Sequence, residues 1–351
     1  MKTGPVHTAG QAARPMAGEA DTPVSNDDLH AAVEALRAGG VVGLPTETVY
    51  GLAANAADEA AVASIYRIKG RPADHPLIVH VADIDAARQW AEWTPAAQRL
   101  AEAFWPGPLS LVLRRRQEAP AWACGGQPTI ALRSSSHPVF QALMRALKPF
   151  GITGLAAPSA NPFGRISPSR AAHVRAGLGE AVPVVLEGGS AEIGLESTIV
   201  DLSRDVPVLL RPGHISLAAL EQCLGEPVRA ADLLALAGED ADAPRVPGAL
   251  PSHYAPSVPV LLLDADQLGA ALAEARQEGE AVALWSTRPP EPQAGLFWRR
   301  RPVDAAGAAR DLYDTLHQLD ALPVSRILVE RPLAGPDWRA LNDRLERAAA
   351  A

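Results

Sequence analysis

Short apolar runs alternate with amphipathic stretches along nearly the whole chain, and one irregular segment interrupts them. It reads Arg-Val-Pro-Gly-Ala-Leu-Pro-Ser-His-Tyr-Ala-Pro and ends at Pro256. Three prolines and a glycine in a dozen residues cannot continue a helix or a central strand. The segment therefore divides two α/β runs, in keeping with a length of 351 residues, beyond the usual size of one domain. The expected organisation is a mobile tail over 1–25, a first unit over 26–224, a connection over 225–257 and a second unit over 258–351.

The first unit opens with a helix at 27–38, which Ser25 or Asn26 can cap and Gly39-Gly40 stops. A strand at 41–44 follows, then a helix capped by Asp58 and ended at Gly70, then a strand at 77–81. Next come a helix at 95–104, strands at 109–113 and 129–132, a helix at 138–147, a strand near 152–157 and a helix from Ser169. Three strand-like runs close the unit at 183–186, 198–202 and 207–210. Alternation followed by clustered strands predicts a mixed α/β sheet. Beyond the connection, strands at 258–263, 281–285 and 327–330 alternate with helices at 266–278, 304–320 and 336–349. That order predicts a small parallel, Rossmann-like sheet.

Composition narrows the function classes. The formal net charge of -8 argues against a general nucleic-acid coat, though a local basic cleft stays open. Cys124 and Cys223 are the only cysteines, which excludes a disulfide framework and any CxxC motif and fits a cytoplasmic protein. The N-terminal stretch has no apolar core of a signal peptide, and no run is long enough to span a membrane. Neither GxxxxGK[ST] nor GxGxxG occurs, nor HExxH or GxSxG, so P-loop kinases, dinucleotide-dependent dehydrogenases and serine hydrolases are set aside together.

Three polar segments sit at expected strand ends, where an α/β sheet presents ligand groups. Pro45-Thr46-Glu47-Thr48-Val49-Tyr50 offers two hydroxyls, a carboxylate and a phenol to a ligand, or else starts a helix capped by Thr46. Lys69-Gly70-Arg71-Pro72-Ala73-Asp74-His75-Pro76 is a stiff basic loop suited to a triphosphate, or else its cations close a helix end. Ala157-Pro158-Ser159-Ala160-Asn161 with Ser167 can line a ligand closely, or else form a turn whose Ser167 or Ser169 caps the next helix. A lone His80 in an apolar strand reads as a core residue. Arg133 and Arg211 end strands as well, the Glu196-Ser197-Thr198 run precedes one, and a lone arginine of this kind reads as a solvated rim charge. Arg114-Arg115-Arg116 and Arg299-Arg300-Arg301 read as solvated faces.

Six blocks in register resemble the threonylcarbamoyl-AMP synthases in their long, two-domain form. They are PTETVYGLAANA at 45–56, KGRPADHPLIVHV at 69–81, FWPGPLSLVL at 104–113, APSANPFGRISPS at 157–169, LESTIVDLS at 195–203 and LLRPG at 209–213. PGALPSHYAP at 247–256 and the unit after it resemble that form's extension. The resemblance implies a YrdC-like catalytic domain with a twisted mixed sheet. It also implies a nucleotidyltransferase reaction of L-threonine, bicarbonate (or CO2) and ATP, giving threonylcarbamoyl-AMP and pyrophosphate. Mg2+ would accompany ATP without a dedicated protein site. A separate transferase complex would carry the product to tRNA, and weak binding of double-stranded RNA or tRNA would be compatible with the basic concavity.

Residue by residue, Thr48, His80, Arg133, Ala157 and Ser197 match positions that hold threonine. Arg71, His75, Thr129, Ser159, Ser167 and Arg211 match positions that contact ATP, and Tyr254 one that folds over the nucleotide. Lys69 and Arg71 match the cations that would serve catalysis. His75 stands where many members have asparagine, Ser134-Ser135-Ser136 replaces a more restricted stretch, Leu195 stands where valine is usual, and Ala249 and Pro251 occupy commonly bulky or charged positions. The rival readings are a non-catalytic RNA-binding module and an enzyme that carbamoylates another amino acid.

Overall fold

The computed structural model describes residues 24–231, 244–248 and 252–350. Most of the expected tail, the polar stretch at 232–242, and Ala249 and Pro251 lie outside the described residues. In the first unit the strands are β1 (Val42–Leu44), β2 (Gly51–Asn55), β3 (Ile78–Val81), β4 (Leu109–Arg114), β5 (Thr129–Arg133), β6 (Gly154–Ala156), β7 (Val184–Val185), β8 (Thr198–Asp201), β9 (Val208–Arg211) and β10 (Arg229–Ala230). They form one mixed sheet in the order β10-β9-β8-β4-β5-β3-β6-β2-β1-β7. The helices are α1 (Asn26–Arg37), α2 (Glu59–Lys69), α3 (Ile84–Ala87), α4 (Pro95–Phe104), α5 (Pro138–Leu147), α6 (Ala171–Leu178) and α7 (Leu217–Leu224).

Local chemistry sets the helix ends. The side chains of Ser25, Asp58 and Thr94 accept the orphan N–H groups of Asp28, Ala61 and Ala97, as N-caps do. Helix α6 departs from expectation: its N-cap is Arg170, without a side-chain bond. Ser169 instead bonds His173 through its backbone N–H, and Ser167 is engaged with Glu196. No helix starts at Thr46. The chain turns there into β2, which pairs antiparallel with β1, a strand hidden in the sequence by its small residues.

Side-chain alternation gives the sheet two different faces. Val79, Val81, Leu109, Leu111, Leu113, Ile130, Leu132 and Val200 join the main core with residues of α2, α4 and α7. On the other face, Ile78, Val112, Ala131 and Ile199 make a separate small cluster, covered by Val246 of the connection. That second face carries the polar residues of the site.

In the second unit β11 (Val260–Leu263), β12 (Val282–Ser286), β13 (Leu296–Arg300) and β14 (Arg326–Glu330) lie in the order β11-β14-β12-β13, all parallel. Helices α8 (Leu268–Glu278), α9 (Ala305–Asp320) and α10 (Arg339–Ala349) complete it. Strand β13 is a fourth strand that the basic run Arg299-Arg300-Arg301 concealed. Arg301 is no solvated residue: it is buried, 3.6 Å from Glu330 and packed over Trp338.

The two units share a core. Val49, Ile166 and Leu195 of the first unit and Tyr254 of the connection pack with Trp285, Leu312 and Tyr313 of the second. Gly194 marks a close approach of the two backbones: its φ is +76°, and an added Cβ would lie 2.5 Å from Arg310 Cα, well inside contact distance. Gly194→Ala is expected to destabilise the chain by about 2 kcal/mol, through overpacking and a left-handed backbone. Chemical denaturation checks this, and a change within ~0.5 kcal/mol, as for an ordinary surface substitution, would contradict the packing described.

Candidate active site

Strand register assembles the site. In the parallel β3–β5 pair His80 lies opposite Arg133, so both project from the second face next to each other. In β8–β9, Ile199 lies opposite Arg211, which brings Arg211 beside the turn before β8. Its guanidinium donates to the carbonyl of Ser197 at 2.9 Å and to that of Pro247 at 2.9 Å.

The β1–β2 loop closes one end. Thr46 Oγ1 donates to Val49 O at 2.6 Å and lies 2.9 Å from Thr48 Oγ1, and Thr48 Oγ1 accepts from Arg133 Nη1 at 2.8 Å. Glu47 neutralises Arg133 across a 2.8 Å ionic contact and accepts a short hydrogen bond from Ser135 Oγ. Burial opposes the charge on Glu47, but Arg133 and then Ser135 hold its carboxyl below the ordinary value. Tyr50 turns away, donating to the carbonyl of Gly189 at 2.8 Å. Of the four polar groups read in this loop, then, the two hydroxyls face the cleft. The rim readings of Arg133 and Arg211 do not hold: both are buried, Arg133 at 3% and Arg211 at 4% exposure.

All five residues matched to threonine positions (Thr48, His80, Arg133, Ala157 and Ser197) line one cleft. Arg71, Ser159, Arg211 and Tyr254, matched to nucleotide positions, line it too. Lys69, His75, Thr129 and Ser167 do not. Lys69 lies behind the small-residue loop, its Nζ donating to the carbonyls of Ser159 and Asn161. Burial and then Arg71 lower its pKa well below the usual lysine range. Asn161 Nδ2 bonds the carbonyls of Pro162 and Arg165, which stiffens the same loop. His75 packs edge-on against Phe163. Thr129 shares the face of Ala131 and Arg133 but sits at the far end of β5. Ser167 reaches the cleft wall indirectly, donating to Glu196 Oε1 at 2.6 Å.

Arg71 is, with Arg211, a cation left to meet a ligand. It donates to the carbonyl of Pro76 at 2.9 Å, and no carboxylate among the described residues pairs with it. Burial lowers its pKa to about 10, so it stays charged at neutral pH. Four residues of the connection, Pro247, Gly248, His253 and Tyr254, close over the cleft. The cavity left beneath is about 50 Å³, a few waters at roughly 10–15 Å³ each. An amino acid and a nucleotide together occupy more than this volume. Tyr254 carries the backbone cost of the closed form, at φ +64° without being glycine.

Two residues of the second unit stand behind Glu196 in the cleft wall, and no motif pointed to them. Arg344 Nε donates to Glu196 Oε2 at 2.8 Å, and Tyr313 places its hydroxyl 2.9 Å from both Glu196 oxygens. Their signal in the sequence was faint: an arginine at a core-facing position of an otherwise amphipathic helix, and a tyrosine in another.

The first unit, residues 34–213, matches the Sua5/YciO/YrdC family, described as "Telomere recombination". Residues 215–350 match "Threonylcarbamoyl-AMP synthase, C-terminal domain". The chain belongs to the threonylcarbamoyl-AMP synthase family. It is 36% identical to the threonylcarbamoyl-AMP synthase of Pyrococcus abyssi over 320 residues, covering 89% of this chain and 91% of that one. It is 37% identical to the Bacillus subtilis enzyme of the same name, with 90% of each covered. The crystal structure of P. abyssi Sua5 complexed with L-threonine superposes with a TM-score of 0.81 at 35% identity, covering 92% of this chain and 94% of that one. A form of the same protein with two alanine substitutions superposes with a TM-score of 0.82 at 34% identity, covering 92% of each chain. The chain therefore has the long, two-domain form of a family of nucleotidyltransferase enzymes, and its mixed sheet followed by a parallel one agrees with the fold expected from sequence. Both cysteines are free, as expected, and no helix among the described residues is long and apolar enough to cross a membrane.

Several buried histidines tie this synthase's stability to pH. Burial, with Arg133 beside it, lowers His80 to about 3. Burial, with nearby cations, lowers His253 to about 3, and burial with the stacked His317 lowers His173 to about 4. Because these folded-state values lie below the ordinary 6.5, the linked stability is complete above pH 6.5 and is lost as pH falls towards 4 and 3. The loss approaches about 1.4 kcal/mol per pH unit for each histidine. Thermal melts are expected to fall steadily from pH 7 to 5, and less so in His173→Gln. A Tm independent of pH across that window would contradict the burial of neutral imidazoles.

Proposed function

We propose that this chain makes threonylcarbamoyl-AMP from L-threonine, bicarbonate (or CO2) and ATP, releasing pyrophosphate. One observation carries the reading: a single cleft has an arginine with a hydroxyl partner at one end and two buried arginines at the other. Arg133, beside Thr48, fits an amino acid's carboxylate, while Arg71 and Arg211 fit a polyphosphate. The name of the Pyrococcus and Bacillus relatives, and the L-threonine in the Pyrococcus structure, support threonine as a substrate of this chain.

The chemistry asks for positioning more than for a nucleophilic side chain. Threonine's neutral amine attacks the carbon of CO2, forming the C–N bond and giving up a proton. A carbamate oxygen then attacks the α-phosphorus in line, and the bond to the bridging oxygen breaks as pyrophosphate leaves. Holding the reactants in register contributes roughly 7–11 kcal/mol in favourable cases. Arg71 and Arg211 offset the phosphate charge, and neutral His80 leaves the amine end free of an added cation. Mg2+ is a companion of the phosphates here: Glu196, the carboxylate lining the cleft, already has its oxygens occupied by Ser167, Tyr313 and Arg344. In this reading Lys69 serves catalysis by fixing the loop that carries Ser159, and His75 and Thr129 meet the nucleotide when the connection is raised. Product transfer to tRNA by a separate complex, weak RNA affinity and a cytoplasmic setting belong to the same proposal.

Pyrophosphate release that requires both threonine and bicarbonate, with the product identified by mass, tests this function. Release without threonine, or equal turnover with serine, would count against it. Salt-sensitive tRNA binding with no turnover would favour the RNA-binding reading. Closure by the connection has its own test. The His253→Ala, Tyr254→Ala double variant is expected to spend several molecules of ATP per product, because water reaches the adenylate. Coupling unchanged from the parent chain would remove water exclusion as the role of this segment.

A further inference from the structure

Two side chains of the second unit build the cleft wall from behind. Arg344 in α10 is fully buried, and its Nε donates to Glu196 Oε2 at 2.8 Å. Its Nη2 donates to the carbonyl of Pro212 at 3.0 Å, the residue that follows Arg211. Tyr313 in α9, also fully buried, sets its hydroxyl between the two Glu196 oxygens. The same pair brackets Tyr254 of the connection: the Tyr313 ring lies 5.7 Å from the Tyr254 ring, and the Arg344 guanidinium 5.5 Å.

We infer that Arg344 and Tyr313 are positioning residues for the nucleotide end of the cleft, acting through Glu196, Pro212 and Tyr254. The inference rests on the nucleotide reading of that end given above. A planar guanidinium that binds the turn at 196 with one nitrogen and the turn at 212 with another fixes the spacing between them. Arg211, whose side chain returns to the Ser197 carbonyl, is thereby held in one place. Ser167, Arg211 and Tyr254, three positions assigned to nucleotide, each touch or adjoin this assembly. Of the threonine positions Ser197 adjoins the assembly through Arg211, whereas Thr48, His80 and Arg133 are held by the β1–β2 loop, β3 and β5. Burial opposes the charge on Glu196, but Arg344 and then Arg211 hold its carboxyl down to about 2. It therefore acts as an ionised acceptor on which Ser167, Tyr313 and Arg344 converge, and the long form needs its second unit to complete the nucleotide site.

Unequal loss of the two ligands distinguishes positioning from general support. Calorimetric titration of the full chain with a non-hydrolysable ATP analogue and Mg2+, and separately with L-threonine, measures both. Tyr313→Phe and Arg344→Lys are expected to weaken the analogue roughly tenfold or more, as for loss of a hydrogen bond to a charged group. Threonine, which meets the assembly only through Ser197, should weaken clearly less, by about threefold at most. Arg170→Ala, which removes the part-exposed bridge to Asp314 between the same two units, should change neither. Parent-like affinity for the analogue in folded Tyr313→Phe would overturn the inference, and so would equal weakening of both ligands. Should Arg344→Lys fail to fold, Tyr313→Phe decides. A parent chain that binds both ligands yet forms no adenylate refutes the proposed reaction, while the affinity split still decides this point.

Discussion

The buried contact between Glu196 and Arg344 ties the architecture together, with Asp343 as a second carboxylate on Arg344. Glu196 belongs to the first unit and lines the cleft, and Arg344 belongs to the second and reaches no solvent. Breaking such a pair from the arginine side costs about 3–5 kcal/mol, since the Glu196 charge loses its ionic partner in a low-dielectric interior, whereas Arg344 without Glu196 keeps Asp343. The units therefore cannot separate without exposing or orphaning both groups. Around this contact lie the shared apolar core, the close approach at Gly194 and the ring of Tyr254, so that fold, connection and cleft are held by one assembly.

The sheet explains why the cleft lies where it does. One face is sealed by helices and is apolar at every other strand position, while the other bears Ser110, His80, Arg133 and Arg211 among small apolar residues. Ser110 Oγ meets Ser197 Oγ at 2.7 Å, so even the second face has its hydroxyls paired. Among the described residues, the cover over the apolar cluster of β3, β4, β5 and β8 on that face is Val246 of the connection. A polar face covered by the connection suits the reaction proposed above.

Much of this was legible in the sequence. The helices at 95–104 and 138–147 follow from Thr94 and His137 as caps with proline at the first helical position. The six motif blocks, taken jointly, named the family and held seven of the nine matched cleft residues, Arg133 and Tyr254 lying outside them. What stayed hidden has physical reasons. Strand β2, Gly-Leu-Ala-Ala-Asn, is too poor in β-branched residues to declare itself, and β13 carries arginines because it is an edge strand. Thr46 looked like a helix cap because a hydroxyl that closes a turn has the same local signature as one that starts a helix. His80 and Arg133 are two members of one sheet face, and only the register of β3 with β5 reveals them as neighbours. The partners of Glu196 in the second unit lie more than a hundred residues away, beyond any local pattern.

A double-mutant cycle on stability addresses the central claim that one buried ion pair unites the two units. Glu196→Gln, Arg344→Met and the double variant would be unfolded in denaturant alongside the parent chain. A coupling energy of about 2 kcal/mol or more is expected, the double variant being more stable than the sum of the single losses implies. A coupling within ~0.5 kcal/mol of zero, the additivity expected of independent sites, would contradict it.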